Sequence, residues 1–108
     1  MRENIRQDGL MNKEEVISKL QAHEPELKAA GIVRLAVFGS VARGDNSPES
    51  DVDLLADFDK TKRYTLLTMG RLENRLSDLL GRRVDLSSPE WLKESVKSQA
   101  LREAVVAF

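Results

Sequence analysis

The sequence predicts one α/β domain of the α+β kind, a small mixed β-sheet flanked by helices. Three observations carry that reading. Apolar stripes with helical spacing alternate along the chain with short strand-like runs. One run, 32–38, is apolar on both faces, as suits a central strand covered on both sides. The run at 51–58 follows it after a loop too short for a crossover helix, so the two strands pair antiparallel.

Taken in order, residues 1–11 carry little pattern and are expected to form a loosely ordered tail ahead of a domain at 12–108. Asn12 reads as a helix N-cap, with Glu15 at the reciprocal capping-box position. Val16, Ile17 and Leu20 give that helix its apolar side. Pro25 interrupts or restarts it, and Gly31 ends the segment. After the central strand, Gly39-Ser40 turns the chain into a short helical segment through Gly44, and 45–50 is loop by composition.

The next strand alternates. Val52, Leu54, Ala56 and Phe58 share one face, and Asp51, Asp53, Leu55 and Asp57 share the other. Leu66, Met69, Leu72, Leu76, Leu79 and Leu80 recur at three- and four-residue steps, which predicts a helix from Tyr64 to Leu80 closed by Gly81. A short strand follows at 83–87, with Asp85 opposite Val84 and Leu86. Ser88-Pro89 opens a last helix, with an apolar stripe of Leu92, Val96, Leu101, Ala104, Val105 and Phe108.

Composition narrows the chemistry. The 108 residues hold 17 Lys and Arg against 18 Asp and Glu, one His and no Cys. There is no disulfide framework, no thiolate ligand and no Cys nucleophile. One His cannot build a multi-His metal cluster, so carboxylates must hold any metal, and hard cations such as Mg²⁺ are the candidates. The near-neutral charge lacks the basic footprint of a duplex-DNA binder, and nucleic acid is not the expected direct substrate. No run approaches the roughly 20 apolar residues that span a bilayer, and the polar N-terminus is no signal peptide. No membrane partner is expected, and the cytoplasm is the expected location.

Asp51, Asp53 and Asp85 are the acidic residues that stand out. The first two lie two apart on a strand, their Cα atoms about 6.5–7 Å apart, with both side chains on one face. If the strand of Asp85 pairs beside them, three carboxylates converge on one patch of sheet. Like charges that close repel, and a cation resolves the conflict. The set suggests Mg²⁺, as two ions about 3.5–4 Å apart. Upstream, Gly39 lets the backbone approach a ligand, Ser40 adds a hydroxyl donor, and Arg43 adds a charge within reach of the same phosphates. A phosphate cradle beside a carboxylate-held metal is equipment for phosphoryl or nucleotidyl transfer.

Gly39-Ser40, then ten residues, then Asp51-Val52-Asp53, resembles the signature of the DNA polymerase beta-like nucleotidyltransferase superfamily. The flanking Phe38 to Gly44 and Ser50 to Leu54 look like its minimal prokaryotic members, and Asp85 stands where the family carries its third carboxylate. The resemblance runs from about Ile32 to Ser87 and implies a nucleotidyltransferase fold. It implies that Asp51 and Asp53 ligate both metals, that Asp85 ligates the catalytic one, and that Gly39 and Ser40 hold the triphosphate of a nucleotide, ATP. It further implies an antitoxin that pairs with a helical HEPN-class toxin and transfers AMP to a tyrosine hydroxyl on it. Only 23 residues (108 − 85) follow Asp85. No further acceptor domain is expected in that length, so the acceptor is expected on a partner, with the last two helices as docking surface, or the product is a very simple one. Two alternatives stand beside this one: an antitoxin that acts by binding alone, and a nucleotidyltransferase for a small molecule or an RNA end.

Arg43 has a surface ion pair as its competing reading. Asp57 and Asp59 read as exposed loop charges, and Lys60, Lys62 and Arg63 as a solvated run. Arg82 or Arg83 would neutralise the carboxylates without metal. His23 reads as a surface residue, and Trp91 as packing.

Overall fold

The computed structural model describes residues 11–108. Of the expected loose tail, residues 1–10 lie outside the described residues. Met11 packs against the core, and its carbonyl accepts from Asn46 Nδ2 at 3.1 Å.

Helix α1 (Lys13–Ala22) begins where the sequence places its cap. Asn12 Oδ1 accepts the Glu15 N–H at 2.9 Å, and Glu15 Oε1 accepts the Asn12 N–H at 3.1 Å. Helix α2 (Glu24–Ala29) restarts with Pro25 in its first turn, a position where the missing N–H is not needed. Strand β1 (Ile32–Phe38) leads directly into the five-residue helix α3 (Gly39–Arg43). Strand β2 (Val52–Phe58), helix α4 (Leu66–Leu80) and strand β3 (Val84–Ser87) follow, then helix α5 (Glu94–Glu103) and strand β4 (Val105–Val106).

The four strands form one mixed sheet in the order β3-β2-β1-β4. As the short loop requires, β1 and β2 are antiparallel. β2 and β3 are parallel, and α4 is the crossover that parallel pairing needs. On one face, Leu35 and Val37 of β1 and Val52, Leu54 and Ala56 of β2 pack with Leu20, Leu72, Leu76 and Leu80 into the main core. Two α4 side chains also serve the β3 backbone: Ser77 Oγ accepts the Val84 N–H at 3.1 Å, and Glu73 Oε2 accepts the Leu86 N–H at 2.9 Å. The other face carries Ala36, Leu55 and the aspartates. Ala36 and Leu55 are buried outside the main core cluster, as is Ala100 of α5.

Two helices differ from the sequence expectation. α4 starts at Leu66, with Thr65 as its cap, rather than at Tyr64. Tyr64 folds back, its hydroxyl 3.0 Å from the Asp59 carbonyl and 3.2 Å from that of Gly31. Leu66, counted in the apolar stripe, is 93% exposed. The last helix expected from Ser88 is three pieces: a single 3-10 turn at Pro89–Trp91, an extended Leu92, then α5. Val105 and Phe108, placed on its stripe, belong to an edge segment paired with β1. Leu35 donates to the Phe108 carbonyl at 3.1 Å and accepts the Ala107 N–H at 2.8 Å. A buried central strand needs both edges satisfied, and the C-terminal segment supplies the second.

Candidate active site

β2 is the axis of the site. Asp53 lies in register with Phe38 of β1 on one side and with Asp85 of β3 on the other. Paired residues of neighbouring strands point to one face and sit about 4.8 Å apart, so Asp53 and Asp85 are side by side. The parallel pairing of β2 and β3 thus brings together two aspartates 32 positions apart in the sequence (85 − 53). Asp51 stands just before β2, its side chain 42% exposed, with Oδ1 3.9 Å from Arg83 Nε. Arg83 is therefore the arginine that faces a carboxylate, while Arg82 bonds the Pro48 carbonyl.

The electrostatics are those of a crowded acidic patch. Partial burial, then the charges of Asp85 and Asp51, push the Asp53 carboxyl up to about 6 from 3.8. Among the described residues, no three His, Asp or Glu side chains close into a ready metal cage. The donor set still suits a hard divalent cation. It is all oxygen, and the repulsion on Asp53 is the conflict that a cation between the carboxylates removes.

Gly39 opens α3 against this patch. Its φ of +74° is one that side chains rarely adopt, and a Cβ there would overlap Asp53 Oδ2. The Gly-Ser turn and the Asp-x-Asp strand are thus in van der Waals contact. The Ser40 carbonyl accepts from the Gly44 N–H at 2.9 Å and the Asp45 N–H at 3.0 Å, which closes the turn at the end of α3.

Arg43 is held by two carboxylates: Nε reaches Asp45 Oδ2 at 3.1 Å and Nη1 reaches Glu103 Oε2 at 2.9 Å. Glu103 also accepts the Gly39 N–H, at 3.2 Å. Sequence reasoning missed Glu103. The one signal for it is a carboxylate in the last turn of a helix, where the helix dipole disfavours negative charge.

Asp57 is an exposed residue of β2 rather than of a loop, and Asp59 accepts from the Thr61 backbone at 2.9 Å and its hydroxyl at 2.6 Å. Lys60 pairs with Glu90 at 3.2 Å, and Lys62 lies 3.5 Å from the Ala29 carbonyl. Trp91, half exposed, stacks on Phe58 with ring centroids 5.6 Å apart. His23 Nδ1 lies 3.0 Å from the Lys19 carbonyl.

A mixed sheet that sets paired aspartates against a Gly-Ser turn is the arrangement of a nucleotidyl-transferring domain. Residues 7–107 match the family described as nucleotidyltransferase domain. The protein adenylyltransferase MntA of Thermococcus cleftensis is 41% identical over 98 residues, spanning 90% of this chain and 97% of that protein. A solved structure described as a minimal nucleotidyltransferase aligns with a TM-score of 0.73 and 41% identity, over 88% of this chain and 95% of that one. The fold is also shared with a complex from Shewanella oneidensis, a tri-AMPylated HEPN toxin with an MNT antitoxin. There the TM-score is 0.55 and the identity 15%, over 82% of this chain and 71% of the other. The chain belongs to the nucleotidyltransferase domain family and is a nucleotidyltransferase.

Proposed function

We propose that this protein transfers AMP from ATP to a tyrosine hydroxyl of a HEPN-class partner and acts as that toxin's antitoxin. The observation that carries the reading is Asp53, held in register with Asp85 and against Gly39 at once. The adenylyltransferase name of the Thermococcus relative supports it, as does the AMPylated toxin in the Shewanella complex.

In this reading, Asp51, Asp53 and Asp85 hold Mg²⁺, as two ions. The chemistry such ions supply is neutralisation of phosphate charge and a lower pKa for the acceptor hydroxyl. Gly39 offers its backbone and Ser40 its hydroxyl to the triphosphate, and Arg43 adds positive charge beside them. The acceptor oxygen attacks the α-phosphorus, the bond to the bridging oxygen breaks, and pyrophosphate leaves, with the hydroxyl proton passing to solvent. Steps of this kind depend on positioning and preorganised charge, which a rigid sheet with two adjacent carboxylates provides. No helix among the described residues is long and apolar enough to cross a membrane. A cytoplasmic setting accords with both a nucleotide substrate and a partner toxin.

The test is transfer of label from ATP to the partner toxin in Mg²⁺. Asp53→Asn should lower it at least a hundredfold, a loss of about 2.7 kcal/mol or more of transition-state stabilisation. Undiminished labelling by that variant would remove the mechanism. Neutralisation by binding alone is the second reading. It prevails if Asp51→Asn and Asp85→Asn still silence the toxin in full.

A further inference from the structure

Glu103 occupies two of the three groups to which the nucleotide reading assigns phosphate, Gly39 and Arg43. Its Oε1 accepts the Gly39 N–H at 3.2 Å, and its Oε2 accepts Arg43 Nη1 at 2.9 Å and Gln99 Nε2 at 3.0 Å. One backbone amide, one guanidinium and one side-chain amide converge on a single carboxylate, a donor set that a phosphoryl oxygen would satisfy equally well. The Glu103 side chain is 15% exposed and that of Arg43 42%. A crevice of about 180 Å³ between α3 and α5, lined by Phe38, Gly39, Arg43 and Gln99, adjoins it.

Hydrogen bonds from Gln99, Arg43 and the Gly39 N–H hold the Glu103 carboxyl below the usual carboxylate range, against its helix position. Glu103 is the last residue of α5, at the negative end of the helix dipole. It also lies close enough to Asp53 to disfavour that residue's charge. Helix geometry alone would place a cation there. The carboxylate is held in place by its contacts with Gly39, Arg43 and Gln99.

We propose that Glu103 is a built-in anion that fills the phosphate contacts of Gly39 and Arg43 until a nucleotide displaces it, and so sets the affinity for the triphosphate. The proposal rests on the nucleotide site of the previous subsection. Without nucleotide, the carboxylate pins the Gly39 turn to α5 and leaves Arg43 shared between two acidic partners. Triphosphate binding must break the Glu103 contacts, and part of its binding energy is spent in doing so.

The experiment uses the full chain, ¹⁵N-labelled, as wild type, Glu103→Gln, Glu103→Asp and Ser40→Ala. Glu103→Asp keeps the charge and shortens the reach, so it stands in should Glu103→Gln fail to fold. Without ligand, the Gly39 amide resonance should move in both Glu103 variants. Removing one unit charge beside a polyanion should tighten ATP binding about threefold to tenfold in Glu103→Gln. Glu103→Asp should also bind more tightly than wild type, by a smaller factor. Tripolyphosphate should gain the same factor as ATP, and adenosine none, because the competition is for the phosphates. An unmoved Gly39 amide, or ATP binding unchanged or weakened in the Glu103 variants, overturns the proposal. If ATP binding is lost in Ser40→Ala but unchanged in Glu103→Gln, the nucleotide site stands and only this inference falls. If none of the four proteins binds ATP, both fall.

Discussion

A methyl group on Gly39 would land on the Asp53 carboxylate, and the Gly39 backbone sits at φ +74°. Gly39→Ala therefore carries two costs, about 1–2 kcal/mol for the left-handed backbone and a further cost for moving Asp53. Urea unfolding should show Gly39→Ala less damaging in an Asp53→Ala background than alone, because the overlap is then gone. Asp53 has a cost of its own. The fold holds its proton more tightly than the unfolded chain does, about 6 against 3.8. Raising the pH through that window removes stability, and the loss is complete above it. In chelator, Asp53→Asn should melt higher than wild type at pH 7.5 and lose that advantage below about pH 4. A variant that melts no higher at pH 7.5 would show that the Asp53 charge is not strained. The motif residues Gly39, Ser40, Asp51 and Asp53 were legible in the sequence because ten residues of spacing hold them together. Glu103 was not, since it meets Gly39 from 64 positions away.

Helix α4 shows what a periodic stripe can and cannot say. Leu72, Leu76 and Leu80 are buried as their spacing predicts, yet Leu66, on the same stripe, faces solvent. The stripe outruns the sheet beneath it, and sequence spacing does not record where a partner surface stops. Leu76→Ala should cost about 2–5 kcal/mol in urea unfolding, and Leu66→Ala no more than about 0.5 kcal/mol. Asn12→Ala should cost about 1 kcal/mol, because it removes one half of a capping box. The C-terminal segment misled for a related reason. Leu101, Ala104, Val105 and Phe108 recur at helical intervals, but β1 has an open edge, and satisfying its backbone outweighs one more helical turn. A two-residue strand is too short to leave an alternation of its own.

Across the whole molecule, the antiparallel pairing of β1 and β2 followed from a short loop, whereas the neighbour of β3 did not follow from any local pattern. The parallel β2–β3 register, closed by α4, turns three separate acidic residues into one charged patch. A cation that relieves this patch binds the folded chain and not the unfolded one. Mg²⁺ at about a hundred times its dissociation constant should add about 2.7 kcal/mol to stability, seen as a raised Tm. The rise should vanish in Asp53→Asn and Asp85→Asn. An equal rise in all three proteins would place the ion elsewhere. The contact between Gly39 and Asp53 also bears on descent. A lineage that abandons transfer and keeps only binding is free to lose Asp53 first, after which a side chain at Gly39 meets only the backbone cost. The reverse order passes through a strained intermediate. Descendants with a side chain at 39 and an aspartate still at 53 should be rare, and the pair dates the loss of chemistry in any branch where it has begun to drift.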